Sequence, residues 1–212
     1  MNAFRLVADM MHLASILILL LKIYSSQSCH GISFKTQVLY LVVFLTRYLD
    51  LFTHFVSVYN TVMKVFFIAS AALVVYWMLG PYKQTAQRSL DTFRVEFLVF
   101  PCMVLAFLFH DAWTVLELFW SFSIFLESVA ILPQLLMLQR TGEAETITTH
   151  YLFALGMYRA LYLVNWIYRY YTEGYTEPIV WVCGVVQTGL YVDFFYVYVT
   201  RVLQGKKFKL PV

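Results

Sequence analysis

The chain has 212 residues, of which 61% are hydrophobic and 13% are charged, and its formal net charge is +3. Its mean hydropathy is +0.71. Soluble globular domains carry about 25% charged residues, so this composition excludes an ordinary soluble domain and indicates a polytopic membrane protein. The three cysteines, Cys29, Cys102 and Cys183, are odd in number and far apart, which suggests neither a disulfide framework nor a metal site.

Seven apolar stretches approach the roughly 20 helical residues that cross a bilayer. They cover residues 1–24, 34–52, 55–77, 96–110, 113–138, 150–171 and 178–203. The first stretch is expected to stay as a span, because Arg5, Asp9 and His12 interrupt the place of a signal peptide's apolar region. We therefore predict one all-α domain over residues 1–212 with seven transmembrane helices.

Basic residues near the ends of the predicted spans favour one orientation. Ten of them lie on one side of the membrane: Lys22, Lys35, Lys83, Arg88, Arg94, Arg140, Arg201, Lys206, Lys207 and Lys209. The loops on the other side, near residues 53, 111 and 172–177, hold no Lys or Arg. The pattern predicts a lumenal N-terminus and a cytoplasmic tail over residues 204–212.

A weak internal repeat aligns residues 41–52 (LVVFLTRYLDLF) with residues 153–164 (FALGMYRALYLV), which superposes Arg47 on Arg159. Two three-helix repeats joined by the fourth span as a linker helix would produce this match, as in transporters built from parallel repeats. A chance match between Leu-rich helices explains it equally well.

Five cations lie inside the predicted spans: Arg5, Arg47, Lys64, Arg159 and Arg169. An intramembrane charge requires a partner or a watery cavity and is by default a hypothesis of function. Three of these residues, Arg5, Arg47 and Arg169, lie within a few residues of the predicted lumenal ends of their spans. We expect Glu117 and Lys64 at a similar depth.

Guanidinium groups bind carboxylates through two parallel hydrogen bonds, so a layer of arginines suits a ligand with several negative charges. Glu117 and Asp50 at the same rim would accept a cation of the same ligand. A short peptide with acidic side chains, a free C-terminal carboxylate and one lysine satisfies this arrangement. Nearer the midplane lie His12, Glu127 and Arg159, and Asp193 lies closer to the cytosol.

Each of these charges also has a simpler explanation. Arg5 and Arg169 can extend to the membrane interface, and the same is expected of Lys64. Arg47 can pair with Asp50 three residues later, and Arg159 can serve only to neutralise Glu127. His54 can border the cavity or simply be solvated.

His12 follows Arg5 and Asp9 on one helical stripe, as Tyr158, Tyr162, Asn165, Trp166 and Arg169 share one face of the sixth span. A histidine among carboxylates is a common sensor of changes between about pH 5 and pH 8. A neutral histidine bonded to a tyrosine hydroxyl is an equally good explanation.

Four segments carry a family resemblance: the N-terminal MNAFRLVADMMHLASILILLLKI, the TRYLDLF of the second span, the block WSFSIFLESVAILPQLLMLQRTGEAETITTHYLFALGMYRALYLVNWIYRY, and the tail LQGKKFKLPV. Over essentially the whole chain they resemble the KDEL receptors, the family of ER lumen protein retaining receptors. The resemblance implies a fold similar to the PQ-loop (SWEET) transporters. It also implies retrieval of proteins ending in Lys-Asp-Glu-Leu from the acidic Golgi to the ER, release at neutral pH, residence in ER and Golgi membranes, and neither cofactor, metal nor catalysis.

The resemblance also implies roles for named residues. Those implied to bind the ligand's carboxylates are Arg5, Arg47, Tyr48, Asn165, Trp166 and Arg169. Those implied to hold its lysine end are Asp50, Glu117 and Trp120. The implied proton-controlled lock comprises His12, Glu127 and Tyr158, with Arg159 and Tyr162 rearranging beside it. Transport and recycling are implied for Asp193 and for the tail residues Gln204, Gly205, Lys206 and Lys207, which resemble a retrieval signal for the COPI coat.

Two features depart from the family pattern. Only Pro133-Gln134 shows the PQ dipeptide, so transporter-like rocking does not follow. Lys206 and Lys207 are the seventh and sixth residues from the end, so we expect a conformational change to present them, with positive-inside anchoring as the alternative. A proton-coupled small-solute transporter and a structural scaffold are the competing functions, but a sugar path would lack cations at its mouth and a scaffold leaves the arginines unexplained.

Overall fold

A computed structural model describes residues 2–209, apart from the side chain of Phe52, and the regular secondary structure of this part of the chain is almost entirely helical. Its α-helices are α1 (Ala3–Ser26), α2 (Phe34–Arg47), α3 (Val58–Leu79), α4 (Glu96–Leu108), α5 (Val115–Val129), α6 (Leu132–Thr141), α7 (Thr146–Glu173), α8 (Pro178–Leu190) and α9 (Val192–Arg201). Short 3₁₀ turns cover Leu49–Phe52, Lys83–Thr85 and Val202–Gln204. Two-residue strands, β1 (Glu143–Ala144) and β2 (Phe208–Lys209), pair antiparallel.

Four helices begin at a polar residue that caps the helix. The side chains of Asn2, Ser33, Ser57 and Thr114 each accept a hydrogen bond from a main-chain N–H in the first turn of α1, α2, α3 and α5. Each cap satisfies one of the N–H groups that a helix start leaves unpaired. Because these caps stand directly before long apolar runs, local sequence determines where the helices start.

Three helices of the described residues are long and apolar enough to cross a membrane: Ala3–Ser26, Val58–Leu79 and Val115–Thr141. A fourth is added if Pro178–Leu190 and Val192–Gln204, which meet at 43°, form one bent span. The helix Glu96–Leu108 is apolar but shorter. These helices agree with an all-α membrane protein, while the count of seven spans and the likeness to PQ-loop transporters stay predictions.

Two predicted spans contain a local irregularity. Within the candidate span Val115–Thr141, the helical hydrogen bonding is irregular between α5 and α6, where Pro133 lacks an N–H and its ring would collide with the carbonyl four residues earlier. The span over residues 178–203 bends at Tyr191. Sequence reasoning could have found the first break from Pro133, whereas no proline marks the second.

The helices divide into two compact units, Met1–Ile32 with Met137–Val212, and Ser33–Leu136. In the first unit α1 packs along α7, and α7 packs against α8 and α9. Phe208 of β2 is buried and stacks on Phe194 with ring centroids 5.2 Å apart. The tail is therefore anchored through Phe208, while residues 210–212 of the predicted tail lie outside the described part of the chain.

In the second unit α2 packs against α3 and α5, and α4 packs against α5. Cys102 of α4 is buried, as is Cys183 of the first unit, in agreement with packing roles. The two units do not coincide with the two predicted repeats. Arg47 ends α2 whereas Arg159 lies inside α7, so the local structures of the aligned residues differ and the repeat stays a prediction.

Gly156 lets α7 approach the bend between α8 and α9. A Cβ at this position would lie 2.6 Å from ring atoms of both Tyr191 and Phe195. Gly189, near the end of α8, has nothing within 4 Å of such an atom. Substitution by alanine should therefore cause a clash at Gly156 and none at Gly189, so Gly189 is a suitable control for Gly156.

We expect Gly156→Ala to destabilise the protein by about 1–3 kcal/mol, because two buried or half-buried rings must move. Gly189→Ala should be neutral or stabilise by up to about 1 kcal/mol, since alanine favours a helix. Thermal unfolding of both variants in detergent measures the difference. Equal midpoints would contradict the close contact at Gly156.

Candidate functional site

The second unit contains a cavity of about 410 Å³ formed at the end of α2 and the starts of α3 and α5. Four of its lining side chains are charged, two positively and two negatively. The lining residues are Thr46, Arg47, Tyr48, Leu49, Asp50, Asn60, Lys64, Thr114, Leu116, Glu117 and Trp120. Five predicted ligand-binding residues therefore meet in one cavity: Arg47, Tyr48, Asp50, Glu117 and Trp120.

Arg47 is fixed by three contacts with α5. Its Nη1 forms an ion pair with the carboxylate of Glu127, its Nε donates to Ser123 Oγ at 3.1 Å, and its Nη2 donates to the Ser123 carbonyl at 3.0 Å. The side chains of Arg47 and Glu127 are 15% and 2% exposed. A buried ion pair is tolerated only when such hydrogen bonds offset desolvation. The alternative that Arg47 pairs with Asp50 is wrong.

Asp50 pairs instead with Lys64, whose Nζ lies 2.6 Å from Asp50 Oδ2. The Lys64 side chain is only 10% exposed, and its ammonium lies 5.8 Å from the ring centre of Tyr48. The expectation that Lys64 extends to the membrane interface is therefore wrong. The carboxylate of Asp50, one turn after the end of α2, holds the Lys64 ammonium in the cavity.

Glu117 and Trp120 lie in the first two turns of α5, and both are partly buried. The N–H of Glu117 donates to the capping Thr114 Oγ1 at 3.2 Å, and its Oε1 accepts from Ser121 Oγ at 3.4 Å. The positive end of a helix dipole favours a carboxylate in this turn. His54 is exposed, its main-chain N–H donates to the Asp50 carbonyl at 2.8 Å, and it is not among the described residues that line the cavity.

In the first unit, His12 of α1 stacks on Tyr158 of α7. Their ring centroids are 4.1 Å apart with an angle of 7°, and both residues are buried. The Tyr158 hydroxyl accepts from Arg159 Nη2 at 3.1 Å and from Gln187 Nε2 at 3.4 Å. Two of the three predicted lock residues are thus in contact, while the third, Glu127, belongs to the second unit, where it pairs with Arg47.

Arg159 is 7% exposed and lies among aromatic rings. Its guanidinium is 5.0 Å from the ring centre of Tyr158 and 5.9 Å from those of Tyr162 and Trp166. Such cation–π contacts stabilise a cation held away from water. Glu127 already has a counter-ion in Arg47. The alternative that Arg159 serves only to neutralise Glu127 therefore does not explain the position of Arg159.

Polar groups extend along the same face of α7. The Tyr162 hydroxyl donates to the carboxylate of Asp9 on α1. Asn165 is 2% exposed, and its Oδ1 has no hydrogen-bond partner among the described residues. Trp166 is buried beside it. Tyr158 and Tyr162 of the predicted stripe therefore contact α1, whereas Trp166 lies against Gly184 of α8.

Arg169 is partly exposed at the end of α7, where its Nε lies 2.7 Å from Glu173 Oε2 and its guanidinium lies 3.8 Å from the ring centre of Tyr175. Burial, followed by the charge of Glu177, raises the pKa of the Tyr175 phenol, while Arg169 opposes the shift. The phenol is therefore neutral at physiological pH. Arg5 is exposed on α1, so an interfacial role remains an alternative for both arginines.

The residues predicted to act in recycling are exposed. Asp193 lies in the first turn of α9. Gln204, Gly205, Lys206 and Lys207 follow it at the end of the chain, and Gly205 adopts the positive φ of +74° that closes the last 3₁₀ turn. Lys206 Nζ lies 3.2 Å from Gln204 Oε1.

Sequence reasoning missed Ser123 and Gln187 as partners of site residues. Ser123 lies one helical turn before Glu127, and Gln187 is a buried polar residue inside a predicted span. Both carry the signal that intramembrane polar residues generally carry. Both side chains are neutral, so a search for charged residues inside the predicted spans does not find them.

We expect Glu127→Gln to reduce stability by about 3–5 kcal/mol, because it leaves the buried Arg47 guanidinium without its counter-ion. Glu117→Gln is the matched control, and a partly exposed carboxylate should contribute less than about 1 kcal/mol. Denaturation in detergent followed by tryptophan fluorescence compares the two variants. Similar losses of unfolding free energy in the two variants would contradict a stabilising role of the Arg47–Glu127 pair.

Comparison with known proteins supplies the family. The family model of the ER lumen protein retaining receptor matches residues 28–169. The chain is 62% identical to "ER lumen protein-retaining receptor 2" of Gallus gallus and 61% identical to that of Homo sapiens, over 100% of both chains in each case. It is 57% identical to the "ER lumen protein-retaining receptor" of Drosophila melanogaster over the same extent. The chain belongs to the family of ER lumen protein retaining receptors.

Proposed function

We propose that this protein is a seven-span membrane receptor that binds the C-terminal Lys-Asp-Glu-Leu of escaped ER proteins in the acidic Golgi lumen, returns them to the ER and releases them at neutral pH. The observation that carries this proposal is the cavity in which Arg47 and Tyr48 lie with Asp50, Glu117 and Trp120. A cavity with both a guanidinium and carboxylates suits a peptide end that itself carries both signs of charge.

The terminal carboxylate of the peptide is assigned to Arg47 and Tyr48. Arg47 uses its Nη1 and Nη2 for Glu127 and Ser123, so the ligand's carboxylate must share or replace these contacts. Bidentate pairing with a guanidinium favours a carboxylate over other anions. A peptide lacking the free carboxylate should therefore lose most of its affinity.

The cationic end of the peptide is assigned to Glu117, Asp50 and Trp120. Among the described residues, the Glu117 carboxylate accepts a long hydrogen bond from the neutral Ser121 hydroxyl at 3.4 Å and forms no ion pair, so its charge is suited to a ligand ammonium. An indole ring adds cation–π attraction. The acidic side chains of the ligand are assigned to Arg5 and Arg169, with further contacts from Asn165, Trp166, Tyr162, Arg159 and the rim residue His54, and these assignments rest on the family resemblance.

Control by pH is assigned to the stacked pair of His12 and Tyr158 together with Glu127. An imidazole gains its charge between about pH 8 and pH 5, and His12 lies one turn from Asp9, whose carboxylate already accepts a bond from Tyr162. Protonation of His12 adds a positive charge to this buried cluster. We infer that the added charge favours the state that binds an anionic peptide.

Return to the ER is assigned to the tail. Gln204, Gly205, Lys206 and Lys207 are exposed in a segment that the buried Phe208 anchors, so the two lysines are accessible to a coat such as COPI. Asp193 is assigned a role in the same transport step. The receptor is preferred to a small-solute transporter, because the family is named for receptors and the cavity is charged.

We expect a peptide ending in Lys-Asp-Glu-Leu to bind the purified protein at least about tenfold more tightly than its C-terminal amide, a difference of about 1.4 kcal/mol. Arg47→Gln should abolish this preference, whereas Arg140→Gln, at an exposed position of α6, should preserve it. Isothermal titration in detergent at about pH 5.5 measures both affinities. Equal binding of acid and amide by the unchanged protein would refute the proposal.

Affinity should also fall as the pH rises from about 5.5 to 7.5, because the imidazole of His12 loses its proton over this range. His12→Gln should make the affinity nearly independent of pH. His30→Gln removes an exposed histidine outside the assigned site instead and should leave the pH dependence intact. A pH dependence that survives in His12→Gln but disappears in His30→Gln would contradict the assignment to His12.

A further inference from the structure

Lys64 and Asp50 form an ion pair inside the cavity to which a ligand is assigned. The contact joins Lys64 Nζ and Asp50 Oδ2 at 2.6 Å, and the two side chains are 10% and 38% exposed. Both residues line the cavity, as does Glu117. The ammonium of Lys64 therefore lies where a cation of the ligand would meet Asp50.

A carboxylate paired with an ammonium presents little net charge to a third group beyond the pair. Lys64 thus cancels much of the attraction that Asp50 alone would exert on a cationic ligand. Asp50 Oδ1 is buried and has no hydrogen-bond partner among the described residues, so this oxygen can still accept a hydrogen bond. Asp50 keeps the ability to accept while losing most of its long-range charge.

Glu117 differs from Asp50 because its carboxylate accepts a hydrogen bond from a neutral hydroxyl, Ser121 Oγ at 3.4 Å. The charge of Glu117 is therefore available to a ligand. Within the described part of the chain, the cavity therefore holds one carboxylate with a counter-ion, Asp50, and one without, Glu117.

We propose that Lys64 is a specificity-determining residue: it is a built-in counter-ion of Asp50 that limits how strongly the cavity prefers a cationic over a neutral residue at the start of the peptide signal. This role rests on the proposed function, since it concerns the same ligand. Lys64 acts through the net charge at Asp50 and does not itself need to touch the peptide.

The selectivity ratio tests this role. It is the affinity for a peptide ending in Lys-Asp-Glu-Leu divided by the affinity for one ending in Gln-Asp-Glu-Leu, measured by titration at one acidic pH. Lys64→Met should raise the ratio about tenfold, because Asp50 then attracts the peptide lysine without compensation. Asp50→Asn should lower it by a similar factor, because Lys64 then repels that lysine.

The double variant Lys64→Met with Asp50→Asn removes both charges together and should return the ratio to within about threefold of the original. Lys64→Arg keeps the positive charge and should leave the ratio unchanged. These two variants retain a balanced pair, so they keep the test valid if a single variant folds poorly.

Two results would overturn the role of Lys64. A lower ratio in Lys64→Met would mean that Lys64 only holds Asp50 in place, and a double variant with the ratio of Asp50→Asn would mean that direct contact with Asp50 determines selectivity. A failure of the unchanged protein to bind either peptide is a different result and would overturn the proposed function itself.

Discussion

A guanidinium buried in an apolar helical protein needs a counter-ion, and for Arg47 that counter-ion is Glu127. The ion pair joins the end of α2 to the interior of α5, and Ser123 supplies the remaining hydrogen bonds. Because the pair is almost fully buried, removing one partner would leave an uncompensated charge. The same pair holds Arg47 at the cavity, so under the proposed function helix packing and ligand binding both involve this one interaction.

The first unit also contains a buried guanidinium, that of Arg159, and aromatic rings surround it. Arg159 lies among Tyr158, Tyr162 and Trp166, and Tyr158 stacks on His12. Under the proposed function, Arg47 of the second unit binds the ligand, whereas the cluster around His12 and Tyr158 of the first unit is assigned the control of binding by pH.

Composition and span length predicted the helical membrane class, and the resemblance predicted the family, because both depend on many residues at once. Individual partners were harder to predict. Arg47 and Asp50 are three residues apart, which suggested an ion pair between them. Because a 3₁₀ turn follows α2, Asp50 instead pairs with Lys64, and Arg47 pairs with Glu127. Lys64 was expected at the membrane interface because its partner Asp50 is 14 residues away, outside α3, and helical spacing predicts only partners within one helix. Pairing of charges between helices requires the packed structure.

The most direct measurement is an experimental structure of the protein with a peptide ending in Lys-Asp-Glu-Leu at acidic pH. The proposed function predicts the terminal carboxylate of the peptide on Arg47 and its lysine ammonium beside Glu117 and Asp50. A peptide bound elsewhere, with Arg47 still paired only with Glu127 and Ser123, would contradict it.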